Sequence, residues 1–132
     1  MITAQIDSFD QTLIDIFTFP SYGLNRMVHF KVFLLVKQAG AGGFRFLFSN
    51  LALANQAIKK QWDGNTNAVT FGVIPNANPS LFTPTGTNRG LIEVEGSGVT
   101  TTLNTIFRFA QNTPDVAASS VLVGSWMELT AI

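Results

Sequence analysis

The sequence predicts an all-β fold, an antiparallel β-sandwich or jelly roll of about seven to eight strands. Two observations predict it. Apolar residues recur at every second position through most of the chain, the period at which strand side chains return to one face of a sheet. Clusters of Gly, Asn, Asp and Pro interrupt these runs at intervals of roughly 8 to 15 residues, the turn spacing of sandwiches. At 132 residues, the chain fits one domain, 1–132, able to bury roughly two thirds of its unfolded surface.

The first well-marked strand is "VHFKVFLLVK", in which Val28, Phe30, Val32, Leu34 and Val36 share one face and His29, Lys31, Phe33, Leu35 and Lys37 the other. The second face turns apolar in its middle, at Phe33 and Leu35, as expected of a strand covered on both sides. "QAGAGG" is glycine-rich turn material, and "FRFLFS" then alternates Phe44, Phe46 and Phe48 with Arg45, Leu47 and Ser49. Together they read as a hairpin. "NLALANQAIKKQW" is expected as an irregular segment running into a strand, "DGNTN" as a turn that tolerates positive φ, and "AVTFGVI" as the next strand. Residues 75–90 hold three prolines and two glycines, which disfavours helix and central strand and predicts a long surface loop. "LIEVEGSGV", "TLNTIFRFAQ" and "SSVLVGSWMELTAI" supply the remaining strands. In the last, Val121, Val123, Met127 and Leu129 are expected on one face, with Leu122, Trp126 and Ile132 on the other.

Composition restricts the function classes. Eight Lys+Arg balance eight Asp+Glu, and no basic run exceeds Lys59-Lys60. A nucleic-acid partner is not expected, because phosphate binding needs concentrated positive charge. Cysteine is absent, which removes disulfides and thiolate metal sites. The N-terminal segment carries three aspartates and no basic residue, unlike a signal peptide, so synthesis in a host cytoplasm is expected. The longest apolar run, "VFLLV", is far short of a membrane span, and no membrane partner is expected. Charged residues form only 12% of the chain, about half the usual share. Part of the surface is therefore expected to be covered by another molecule.

Candidate chemistry is sparse. His29 sits alone in mid-strand and reads as structural. Glu93 and Glu95 project from one face of "IEVEG", but the same spacing is explained by Ile92 and Val94 facing the core and the glutamates facing water. Asp7, Asp10 and Asp15 lack the ligand density of a calcium loop. No catalytic residue, metal or cofactor is expected. Trp62, Trp126 and Tyr22 could form a sugar-stacking platform; packing in the core or at a subunit contact is the simpler account. Phe44, Phe46, Phe48, Phe107 and Phe109 fall at strand spacing and are expected in the core.

The segment "FRFAQNTPDVAASSVLVGSWMELTAI" resembles the closing hairpin of small jelly-roll domains of tailed-bacteriophage virion proteins, through Ala110, Gln111, Asn112, Thr113, Ala118, Gly124, Ser125 and Trp126. "GLIEVEG" resembles the strand before it, and "FTFPSYGLNRMVHFKVFLLVKQAGAGGFRFLFS" the opening strand pair. Ser49-Asn50 replaces a Gly-Pro turn, and residues 51–88 have no counterpart. The resemblance implies a sandwich similar in shape to tumour-necrosis-factor-type jelly rolls, assembled as a homotrimer on a capsid surface or in a tail fibre. A chain beginning so close to its first strand fits a free-standing capsid decoration, or cement, protein, with the major capsid protein as partner and the virion as location. The alternative is a tail-fibre or receptor-binding tip that recognises a host glycan. Phe33, Leu35, Leu122 and Trp126 are the expected subunit-interface residues. The shell contact is expected from residues 1–10, a possible N-terminal arm, or from the loop 75–90, with Ile2, Ile6, Phe9, Leu81 and Phe82 as candidates.

Overall fold

The computed structural model describes residues 1–53, 57–74, 80–82 and 89–132. Among them are twelve strands: β1 Ile6–Ser8, β2 Ile14–Phe19, β3 Met27–Gln38, β4 Phe44–Ser49, β5 Leu51–Leu53, β6 Ala57–Asp63, β7 Ala68–Ile74, β8 Ser80–Phe82, β9 Arg89–Thr100, β10 Thr105–Ala110, β11 Ser119–Val121 and β12 Trp126–Ala131. The fold is an antiparallel β-sandwich. Its large sheet runs β1-β11-β3-β9-β6-β7, with β12 also on β3 and β5 on β9, and its small sheet runs β2-β10-β4-β8. The loop expected over 75–90 is broken by β8, which takes the edge of the small sheet, where a proline-rich neighbourhood is tolerated. The other residues of 75–88 lie outside the described set.

Alternation places the core. The inner face of β3 buries Val28, Phe30, Val32, Leu34 and Val36 completely. Opposite them the small sheet presents a phenylalanine ladder, buried as expected: Phe46 stacks on Phe107 at 5.8 Å, Phe44 on Phe109 at 6.5 Å, and Phe48 meets Phe30 across the sheets at 4.6 Å. Such ring pairs add about 0.5–1.5 kcal/mol each beyond their buried area. Gly96, directly opposite Phe30 on β9, leaves room for its ring, since a Cβ there would stand 3.0 Å from the ring's Cζ.

Two expected hairpins are arches between sheets. β3 belongs to the large sheet and β4 to the small one, so "QAGAGG" carries the chain across the sandwich and does not return it beside itself. β10 and β11 are separated in the same way. Two buried glutamines hold these arches: Gln38 Oε1 accepts from Gly43 N at 2.7 Å, while Gln111 donates to Ala117 O and accepts from Asp115 N, both at 2.8 Å. Asp115 in turn accepts from the backbone amides of Ala117 and Ala41, and these bonds hold its carboxyl below the usual carboxylate range.

The C-terminal run is also interrupted. β11 and β12 lie along the same edge of β3, but residues 122–125 bulge between them. Leu122 N donates to Leu35 O at 2.8 Å, Leu35 N donates to Ser125 Oγ at 2.9 Å, and Gly124 adopts φ +96, which favours glycine. The bulge removes Val123 from the inner face expected for it. It is 55% exposed, while Val121, Met127 and Leu129 are buried.

Residues 1–10, expected as an arm, run along this edge. β1 pairs with β11, Ile2 N donates to Ser125 O, and Gly124 N donates to Ile2 O. Asp7 accepts from Ser120 Oγ at 2.6 Å and from Gln5 Nε2 at 2.7 Å, and these bonds lower its pKa.

Candidate functional site

The outer face of the large sheet, turned away from the core, carries the residues most in need of explanation. Pairing registers lay it out in rows. In one row Trp126, Phe33, Glu93, Lys60 and Phe71 stand side by side on β12, β3, β9, β6 and β7. The next row holds Leu35, Leu91, Trp62 and Val69, with Leu122 bonded to the backbone of Leu35. On the other side lie Glu128, Lys31, Glu95, Ile58 and Val73.

All four expected interface residues therefore meet on one surface. Phe33 and Trp126 stack at 5.7 Å with their rings 11° from parallel, and Leu35 and Leu122 adjoin them; each is half-buried within the single chain. A stacked aromatic pair beside two leucines matches the composition of the buried centre of a protein interface.

Sequence reasoning missed the other end of this face. Ile58, Phe71 and Val73 are 64%, 74% and 54% exposed, and Val69 is close behind. The inner face of the same hairpin carries Lys59, Gln61, Thr70 and Gly72. Burial there lowers the pKa of Lys59. Apart from Ala57, which is buried in the core, and Lys60, which faces outward, the hairpin turns its apolar residues outward and its polar ones inward, the reverse of β3. The signal was present in "AVTFGV", whose valines and phenylalanine alternate with a threonine and a glycine; the periodicity alone does not say which face lies inside.

Several polar groups on the face are paired. Lys60 Nζ lies 3.9 Å from Glu93 Oε2, His29 Nε2 lies 3.1 Å from Glu95 Oε1, and Trp62 donates its indole N–H to Asn67 Oδ1 at 2.9 Å. Ile92 and Val94 are buried while the two glutamates project outward. A cleft of about 230 Å³ opens among Lys31, Ile58, Lys60, Phe71, Glu93 and Glu95. That is below the usual ~300–1,000 Å³ of small-molecule sites and suits an inserted side chain. Among the described residues no group of three or more His, Cys, Asp or Glu could hold a metal ion.

The proposed sugar platform is not brought together. Trp62 and Trp126 share the outer face but stand three strand spacings apart, about 14 Å, and Tyr22 donates its hydroxyl to Leu129 O at 3.1 Å. Nor do the five shell-contact candidates form one surface. Ile2 and Ile6 pack against the core cluster, while Phe9, just beyond β1, is 55% exposed. Leu81 and Phe82 fall on β8, at the edge of the other sheet, and their side chains lie outside the described residues.

Comparison with protein-family models, with curated proteins and with solved structures finds no match to this chain. The class defined by its own sheets is an antiparallel β-sandwich with a largely apolar outer face on the larger sheet.

Proposed function

We propose that the protein is a structural component of a tailed-bacteriophage virion: a capsid decoration protein that sits on the outside of the head as a homotrimer and stabilises the shell. The observation that carries this reading is the cluster of Phe33, Leu35, Leu122 and Trp126 on a sheet whose other face already holds the core. Water does not favour such a cluster, and a second subunit covers it at about 25 cal/mol for each Å² removed. The zero net charge and low charge content agree with a surface spent on assembly. The virion context is supported by the resemblance of the closing "AQNT" and "GSW" segments.

In this reading the trimer bridges neighbouring capsomers and adds buried area that resists pressure from packaged DNA. The shell contact falls on surface outside the subunit contact, and Phe9 is its exposed candidate within residues 1–10. Deleting residues 1–8 would be a poor test, because it strips β1 from β11 and unties Ile2 from the bulge. Phe9→Ser is the cleaner variant and should weaken addition to undecorated heads while leaving the trimer intact.

Imaging virions with and without the protein tests the role directly. Density lost from the head is the expected result. Density lost from the tail tip would overturn it in favour of a receptor-binding module. Trp126→Glu should abolish the trimer in solution, and an unchanged oligomer would remove the outer-face contact from the proposal.

A further inference from the structure

We propose that β7 is a pairing edge, and that its occupant is β7 of a second copy of this chain, laid antiparallel about a twofold axis through Phe71. The contact lies at the opposite end of the sheet from Trp126, so it goes beyond the virion role and does not depend on it.

Four observations support this. First, β7 is the last strand of the large sheet among the described residues, and its seven residues contain no proline and no charge, while its register with β6 runs without a bulge. It lacks the usual devices that keep edge strands from pairing.

Second, the strand is close to self-complementary about its midpoint. Centring the axis on Phe71 uses all seven residues: Phe71 faces its own twin, Val69 faces Val73 of the second copy, and Thr70 faces Gly72. Every outer-face residue then meets an outer-face residue, as the pleat requires.

Third, Phe71 and Val73 are more than half exposed and Val69 nearly so, and this pairing sets them against one another. Directly opposed aromatic and β-branched side chains are the contacts that stabilise antiparallel pairs.

Fourth, charge does not oppose it. The nearest cation on that face, Lys60, is paired with Glu93. The two copies of Lys60 would stand three strand spacings apart, about 14 Å, beyond the Debye length of about 8 Å in physiological salt.

The absence of cysteine allows a register-specific test. Opposed residues in an antiparallel pair have Cα atoms about 4.5–5.5 Å apart, inside the range of a disulfide. Phe71→Cys should therefore cross-link to itself under mild oxidation in dilute solution. Val69→Cys alone should not, because four residues of offset separate the twins by about 13 Å. A mixture of Val69→Cys and Val73→Cys chains should cross-link.

Adding Trp126→Glu to Phe71→Cys should leave the cross-link in place. The proposal is overturned if Phe71→Cys stays uncross-linked, if Val69→Cys alone reacts as fast, or if Trp126→Glu abolishes the product. Loss of the head-density result above would leave this cross-link unaffected, so the two readings fail separately.

Discussion

β3 and the β6–β7 hairpin belong to one sheet and are both made of alternating residues, yet they are oriented oppositely. β3 points its pure hydrophobic series at the small sheet and a mixed series outward. The hairpin points Lys59, Gln61 and Thr70 inward and Ile58, Phe71 and Val73 outward. The small sheet, with four strands against eight, explains how this is permitted. At this end of the large sheet Lys59 is only half-buried on the inner side, while Ile58, Phe71 and Val73 stand exposed on the outer one, an apolar series on a face turned away from the core. Alternation fixes which residues share a face; the size of the opposite sheet decides which face is the interior.

The contrast can be broken from either end. Phe30→Ala on the inner side of β3 should have the largest effect, about 3–5 kcal/mol of unfolding free energy, because it empties a fully buried site against Phe48; urea denaturation measures it. Ser125→Ala should cost about 1–3 kcal/mol, since Leu35 N–H loses its acceptor inside the bulge that seats β11 and β12 on one edge.

Phe71→Ser on the hairpin should change the stability of the separated chain by no more than about 0.5 kcal/mol, measured below the concentration at which the chains associate, despite removing a phenylalanine. A loss comparable to that of Phe30→Ala would mean that the hairpin's apolar face is internal after all.

The smallest effect is expected at an arch remote from both surfaces. Hydrogen bonds to the ionised form depress the Asp115 pKa, so their stabilisation is present above the unfolded carboxylate value and fades as pH falls through the folded one. Acid titration of stability should be shallower for Asp115→Asn than for the natural chain, with the difference confined to below about pH 5.

Much of this architecture was legible in the sequence. The inner series of β3, the phenylalanine ladder and the outward Glu93 and Glu95 follow from a period of two. Phe33 and Leu35 stood out because they interrupt a polar face. Strand partners were not legible. "QAGAGG" and "AQNTPDVAAS" look like hairpin turns, but Gln38 and Gln111 make them arches through bonds that only the folded chain brings together. Val123 was misplaced because a bulge inserts residues without disturbing the apparent alternation. The outward face of β7 was missed because the extent of the small sheet cannot be read from the sequence of β7.

The pairing scheme also governs the order in which the chain can acquire its structure. β1, β2, β3, β4 and β5 pair only with β8 or with strands after it. Among the described residues, β6–β7 is the one pair of consecutive strands joined by hydrogen bonds. A nascent chain therefore emerges with its most apolar strand, β3, lacking either neighbour until β9, β11 and β12 have been synthesised. Loop closure on that scale is slow, and exposed strand edges are prone to aggregation in the meantime. The earliest local structure available is the hairpin whose apolar face the finished core never uses.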